Sequence, residues 1–225
     1  MSGSDRGAGS LAEAPASHAT RRGIWRLGVA MARRDPPAID AALAALKTGH
    51  PAAAVEEAIL QTLLFLGFPA ALTTLGRWRR LTGTDASGLT DAEAPPRAEG
   101  EAVCEAVYGR AYPMLRRRMA TLHPAANRWM VEDGYGKVMG RPGLDLATRE
   151  LLNVVLLAAT DFPEQLHSHL RGALLTGATP EEVEGALEEA TAHLPDARRE
   201  ALAARWREVR ARLGDEALSG DLSEF

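Results

Sequence analysis

Acid–base chemistry in this chain centres on three side chains in its second half: Glu150, His167 and His169. An imidazole with an unperturbed pKa near ~6.5 can both accept and return a proton at neutral pH. His169 sits at one edge of an apolar helical stripe made by Phe162, Leu166, Leu170 and Ala173, and His167 sits at the opposite edge beside Leu174. Periodicity alone does not choose between them. Glu150 falls in the first turn of a helix expected over about Leu146 to Thr160. A carboxylate there is stabilised by the helix dipole by roughly 0.3–1 kcal/mol. It can also pair with Arg149 or Arg141, or orient a histidine and relay its proton. Arg141 and Arg149 flank a Pro-Gly turn leading into Glu150. Either guanidinium can clamp a substrate carboxylate with two parallel hydrogen bonds, or serve as an ordinary interhelix salt bridge. Tyr135 and Trp129 suit a pocket wall or a helical core equally well.

Other chemistries find little support. Cys104 is the only cysteine, so no internal disulfide can form and no two-thiol relay is available. No metal-ligand spacing occurs, and no glycine-rich phosphate loop precedes a helix. The formal net charge of −4 gives no reason to expect a nucleic-acid or anionic-membrane partner. The longest apolar run, Val154 to Ala159 with Leu151 and Leu152 before it, is broken by Asn153. It is about half the ~20 residues a spanning helix requires. The expectation is a cytoplasmic protein with no cofactor and no metal.

The elements that must position these groups read as helices. The apolar fraction leans on Ala and Leu, whose side chains lose little freedom in a helix. Asp161-Phe-Pro-Glu164 reads as an N-terminal capping box, Gly177 as the stop of that helix, and Thr179-Pro-Glu-Glu182 as the next start. Residues 1–19 are expected to be a disordered tail, 81–100 a Gly/Pro/Ser-rich linker and 215–225 a second tail. These divide the chain into blocks of 20–80 and 101–214. An ungapped shift of 128 residues lays Thr20-Arg21 on Thr148-Arg149, Thr48-Gly49 on Thr176-Gly177 and Val55-Glu56 on Val183-Glu184. This suggests a degenerate tandem repeat. Under it Glu150 corresponds to Arg22 and His169 to Ala41, so one unit lacks the acid–base pair.

Two segments carry a family resemblance. The stretch from Tyr135-Gly136 through Arg141-Pro-Gly-Leu-Asp145 to Arg149-Glu150-Leu-Leu-Asn-Val, and Gln165-Leu-His-Ser-His169 through Gly177 to Glu182-Val, resemble carboxymuconolactone decarboxylases. The likeness covers about 101–190 well and 20–80 in weakened form. There, Leu60 to Leu72 looks like the helix pair that closes the family's domain, which suggests that the two units complete one another. The resemblance implies an all-α fold of the alkylhydroperoxidase D-like type with two related helical units. It also implies a Glu–His site, here Glu150 and His169; Arg141, Arg149 and His167 are candidate substrate contacts from the residue reading above. The redox branch carries Cys-x-x-Cys-x-x-x-His, and counting back from His169 puts those cysteines at Phe162 and Gln165. The implied activity is therefore that of a cofactor-free lyase acting on a small carboxylated lactone or related organic acid, in a homo-oligomer of two or three chains. The competing expectation is a non-catalytic scaffold or small-molecule-binding member.

Overall fold

The computed structural model describes residues 13–85 and 97–219, and these are all-helical, with no strand among them. The chain runs through α1 (His18–Ala32), α2 (Pro36–Lys47), α3 (Ala52–Gln61), α4 (Leu63–Thr82), α5 (Arg97–Tyr108), α6 (Tyr112–Leu122) and α7 (Pro124–Trp129). A π-helical segment, Met130–Met139, follows directly, then α8 (Leu146–Thr160), α9 (Pro163–Leu175), α10 (Pro180–Thr191) and α11 (Asp196–Ser219).

The centre of the molecule is α8. Every residue from Leu146 to Ala158 is buried, because α1, α9 and α10 cover it from different sides. Each large aliphatic side chain hidden this way contributes about 1.5–3 kcal/mol. The close approach of α1 depends on Gly28, where a Cβ would lie 2.9 Å from Leu152 Cδ1. The two sequence blocks share these cores. Trp25 packs among residues of α8 to α11, while Ile24, Ala54 and Ala58 pack with Leu144, Leu152 and Leu156.

Local signals set most helix ends. Ser17, Asp35, Asp145 and Thr179 each accept a backbone N–H three residues on, and Thr179 with Glu182 forms the expected capping box. The Asp161 box is not formed. Asp161 instead closes α8 in the left-handed region (φ 66°) and its carboxylate pairs with Arg198, while Phe162 precedes α9 without a side-chain cap. The left-handed C-terminal position and the ion pair together outcompete capping for that short side chain.

The expected boundaries also shift. Of the tails and linker, residues 1–12, 86–96 and 220–225 lie outside the described residues. The remainder is ordered into the fold. Glu13 accepts the Gly143 N–H at 3.0 Å, the Ala16 N–H reaches Asp145 at 2.8 Å, α4 runs to Thr82, α5 begins at Arg97 and α11 extends to Ser219.

Elements 128 residues apart match closely. The helices α1 and α8 have the same length of 15 residues, and their caps Ser17 and Asp145 hold the N–H groups of Thr20 and Thr148. Trp78 Nε1 donates to Glu56 Oε1 at 3.1 Å, and Trp206 Nε1 donates to Glu184 Oε1 at 3.1 Å. No single helix among the described residues is long and apolar enough to cross a membrane.

Candidate active site

Glu150 lies in the second turn of α8, not the first, because the helix begins at Leu146. Its carboxylate is completely buried. Oε2 lies 2.7 Å from His169 Nδ1 on α9, and Oε1 accepts from Asn153 Nδ2 at 3.0 Å. With Nδ1 engaged, His169 Nε2 is the ring nitrogen left to the adjoining cavity. Gly172, one turn beyond His169, is what lets α9 sit this close, since a Cβ there would meet Glu150 Oε2 at 2.6 Å and Val107 Cγ1 at 2.9 Å.

A chain of amide side chains supports the pair from below. Gln61 Nε2 donates to Asn153 Oδ1 at 2.7 Å and to the Arg149 carbonyl at 2.7 Å. Neither Gln61 nor Asn153 was visible to sequence reasoning as part of the site. Asn153 registered only as a break in an apolar run, and a polar residue inside an otherwise apolar buried helix is the signal that marks it.

The cavity into which His169 faces has a volume of about 330 Å³. Besides Asn153 on α8 and His169 on α9, its walls come from four places: Leu64 and Phe65 on α4, Tyr108 on α5, Trp129 on α7, and Met130, Asp133, Tyr135 and Met139 on the π-helical segment. The lining is aromatic and aliphatic apart from His169, Asn153, Asp133 and the two phenols. Phe65 meets the His169 ring edge-on at 6.1 Å, and the Tyr108 ring lies 6.3 Å away. Tyr135 donates to the Tyr108 hydroxyl at 2.8 Å. Burial pushes both phenols well above their ordinary pKa, so both stay protonated at neutral pH. Thus the N-terminal block closes a cavity beside a Glu150–His169 pair that belongs to the C-terminal block.

The arginines are elsewhere. Arg149 is completely buried, with Nη2 3.0 Å from Glu57, Nε 3.1 Å from the Leu144 carbonyl and a further bond to the Arg141 carbonyl at 2.8 Å. Burial pulls its pKa down and Glu57 opposes that shift. Arg141 Nε bonds the same Glu57 at 3.0 Å. Both guanidinium groups fasten the turn before α8 to α3, and neither lines the cavity. The salt-bridge reading of the Pro-Gly turn, not the substrate-clamp reading, matches their placement.

His167 is half-buried on the side of α9 away from the cavity. Burial lowers its pKa, Glu208 opposes this, and Arg205, Arg212 and Arg171 add to the lowering. It does not line the cavity. Phe162 and Gln165, the positions of the redox thiols in the related branch, are both exposed. Cys104 is a buried neighbour of Val103, Val107 and Val131, and burial raises its thiol pKa far above the ordinary value. Among the described residues no group of three or more His, Cys, Asp or Glu side chains is arranged to hold a metal ion.

A larger cleft of about 570 Å³ is bordered by Arg21, Asp145 and Glu182. There Arg21 already pairs with both acids and bonds Thr148 Oγ1 at 2.8 Å, while Asp145 and Glu182 also cap helices. Those polar groups are engaged in holding α1 to α8 and α10.

A sequence model described as the carboxymuconolactone decarboxylase family matches residues 124–208. That stretch contains Tyr135, Glu150, Asn153 and His169, but not Gln61, Phe65 or Tyr108. No curated protein matches the chain.

Proposed function

We propose that the chain is a carboxymuconolactone decarboxylase-like lyase that needs no cofactor, with His169 as the proton-transfer group and Glu150 as its orienting partner. The observation that carries this reading is the 2.7 Å contact between buried Glu150 Oε2 and His169 Nδ1, beside a cavity that His169 lines. An ionised carboxylate only accepts hydrogen bonds, so Glu150 holds the imidazole proton on Nδ1 and leaves a basic lone pair on Nε2.

The substrate class is a small carboxylated lactone or a related organic acid. As carbon dioxide leaves, the electrons of the breaking C–C bond move into the lactone carbonyl, and His169 shuttles a proton at the adjoining carbon. Arg141 and Arg149 are not the carboxylate's partners, being held by Glu57. The apolar walls suit the reaction in another way. A carboxylate there loses its water shell, whereas the departing carbon dioxide is neutral and the remaining charge is spread.

In the same reading the two blocks form a degenerate tandem repeat, supported by the matched Trp78–Glu56 and Trp206–Glu184 bonds. The first unit, with Arg22 and Ala41 in place of the pair, closes the pocket instead of reacting. The protein is cytoplasmic and works as a homo-oligomer of two or three chains. Exposed Phe68, Leu72 and Trp129 supply apolar surface for that contact. Light scattering at micromolar concentration tests it, and a strict monomer rejects it.

The decisive experiment is a screen of lactones and β-keto acids with wild type and His169→Ala. Turnover that is lost in the variant supports the assignment. Turnover indifferent to it removes His169 from the chemistry. A wild type that binds such compounds without converting them identifies a non-catalytic binding member.

A further inference from the structure

Among the described residues the Tyr108 hydroxyl has a partner on one side only. Its oxygen accepts a hydrogen bond from Tyr135 Oη at 2.8 Å, and its own proton has no protein acceptor among the described residues. The side chain lines the same cavity as His169, with the two rings 6.3 Å apart. Tyr135 is 5% exposed and its ring stands edge-on to Tyr108 at 5.8 Å. The buried phenol donates to the outer one, which makes the outer O–H a stronger donor.

We propose that Tyr108 is a second catalytic residue, donating its hydroxyl proton as a hydrogen bond to a carbonyl oxygen of the substrate while His169 Nε2 works at the neighbouring carbon. The inference rests on the acid–base reading of Glu150 and His169 and deepens it. It names the substrate's second handle, a carbonyl conjugated to the reacting carbon. When the C–C or C–H bond at that carbon breaks, its electron pair moves to the carbonyl oxygen and forms an enolate. Tyr108 stabilises that oxyanion without surrendering its proton. After C–H cleavage the proton that Nε2 took is the one it returns; after C–C cleavage carbon dioxide leaves and His169 passes to carbon a proton that Nε2 has taken up from water. A donor already aimed at the place where charge develops needs no reorganisation during the reaction. Among the described residues no arginine or lysine lines this cavity, so a neutral donor supported by a second phenol takes the role a cation would have.

The test uses 4-nitrophenol, whose coloured phenolate mimics an enolate oxygen, and nitrobenzene as the counterpart lacking that oxygen. Wild type should bind the phenolate, and Tyr108→Phe should weaken that binding about 10-fold or more while leaving nitrobenzene affinity unchanged. Tyr135→Phe should give a smaller loss. Circular dichroism of each variant verifies the fold, and the Phe ring keeps the aromatic contacts. Phenolate affinity indifferent to Tyr108→Phe overturns the proposal, as does a wild type that binds neither probe. Tyr108-dependent phenolate binding without any His169-dependent turnover supports the donor and rejects the acid–base reading. His169-dependent turnover with Tyr108-independent phenolate binding does the reverse.

Discussion

Gly172 Cα lies so close to Glu150 that the Cβ of any other residue would sit 2.6 Å from the carboxylate oxygen that meets His169. The same Cβ would stand 2.9 Å from Val107 Cγ1 and 3.3 Å from the Val107 carbonyl. The absent methyl is thus what lets α9 carry its histidine onto α8.

Gly172→Ala should therefore separate Glu150 from His169. Alanine in mid-helix is normally favoured over glycine by about 1 kcal/mol, but overpacking a tight contact costs about 1–3 kcal/mol. A net loss of stability together with loss of turnover is expected in thermal unfolding and activity assays. A more stable, fully active variant would contradict the contact.

Glu150→Gln should be more damaging than its near-identical shape suggests. Asn153 donates to Oε1, so the glutamine carbonyl takes that place and its NH₂ faces His169 Nδ1. The imidazole proton then moves to Nε2 and the base in the cavity is lost. Misplacing a catalytic histidine's tautomer costs up to about 10⁴-fold in rate. Comparing kcat and melting temperature of the variant with wild type checks this: the rate should fall and the fold should persist.

Arg149→Met should destabilise the protein by about 3–5 kcal/mol, since it leaves Glu57 buried beside only Arg141. Urea unfolding of Arg149→Met, Glu57→Gln and the double variant gives the coupling. Losses that simply add would show that the two residues do not interact.

Cys104 should be inert. Its thiol is fully buried and its pKa is raised by burial, so iodoacetamide should modify it only after unfolding. Peroxide turnover, where any is measured, should be indifferent to Cys104→Ala. Rapid alkylation of the native protein would refute the packing described for α5.

His167 gives the pH dependence. Its folded pKa lies below the ordinary 6.5 because of burial, so over the interval between them the unfolded chain binds more protons. Stability is complete above that interval and falls as pH drops through it. The His167→Gln variant should show a flatter melting temperature profile between pH 5 and 7, a range chosen around the ~6.5 reference. An unchanged profile would exclude His167 as the source.

Much of this was legible in the residues. The α8 span, the Thr179 box and the alignment of Glu150 with His169 follow from periodicity, capping chemistry and resemblance. Asp161 misled because the same short acid that caps a helix start also tolerates the left-handed turn that ends one. The arginines could not be placed because Glu57 lies 84 and 92 residues upstream of them, and spacing says nothing about such a partner. Gln61, Phe65 and Tyr108 were hidden for the same reason, being brought to the pocket by α3, α4 and α5. Nothing in the local composition announced the π-helical winding of Met130–Met139.

That winding has a consequence for how the pocket can change. A π-helical stretch holds its hydrogen bonds five residues apart, as in Gly140 N–H to the Tyr135 carbonyl at 2.8 Å. Each such turn takes up one residue more than an α-helical turn, so losing one residue there would tighten one turn toward the α-helical ladder and re-aim the side chains within it, while the residues after it keep their phase. Tyr135, Met139 and their neighbours would then present a different wall to the same histidine. A change of one residue in this segment would thus alter the cavity wall with Glu150 and His169 left in place on helices of their own.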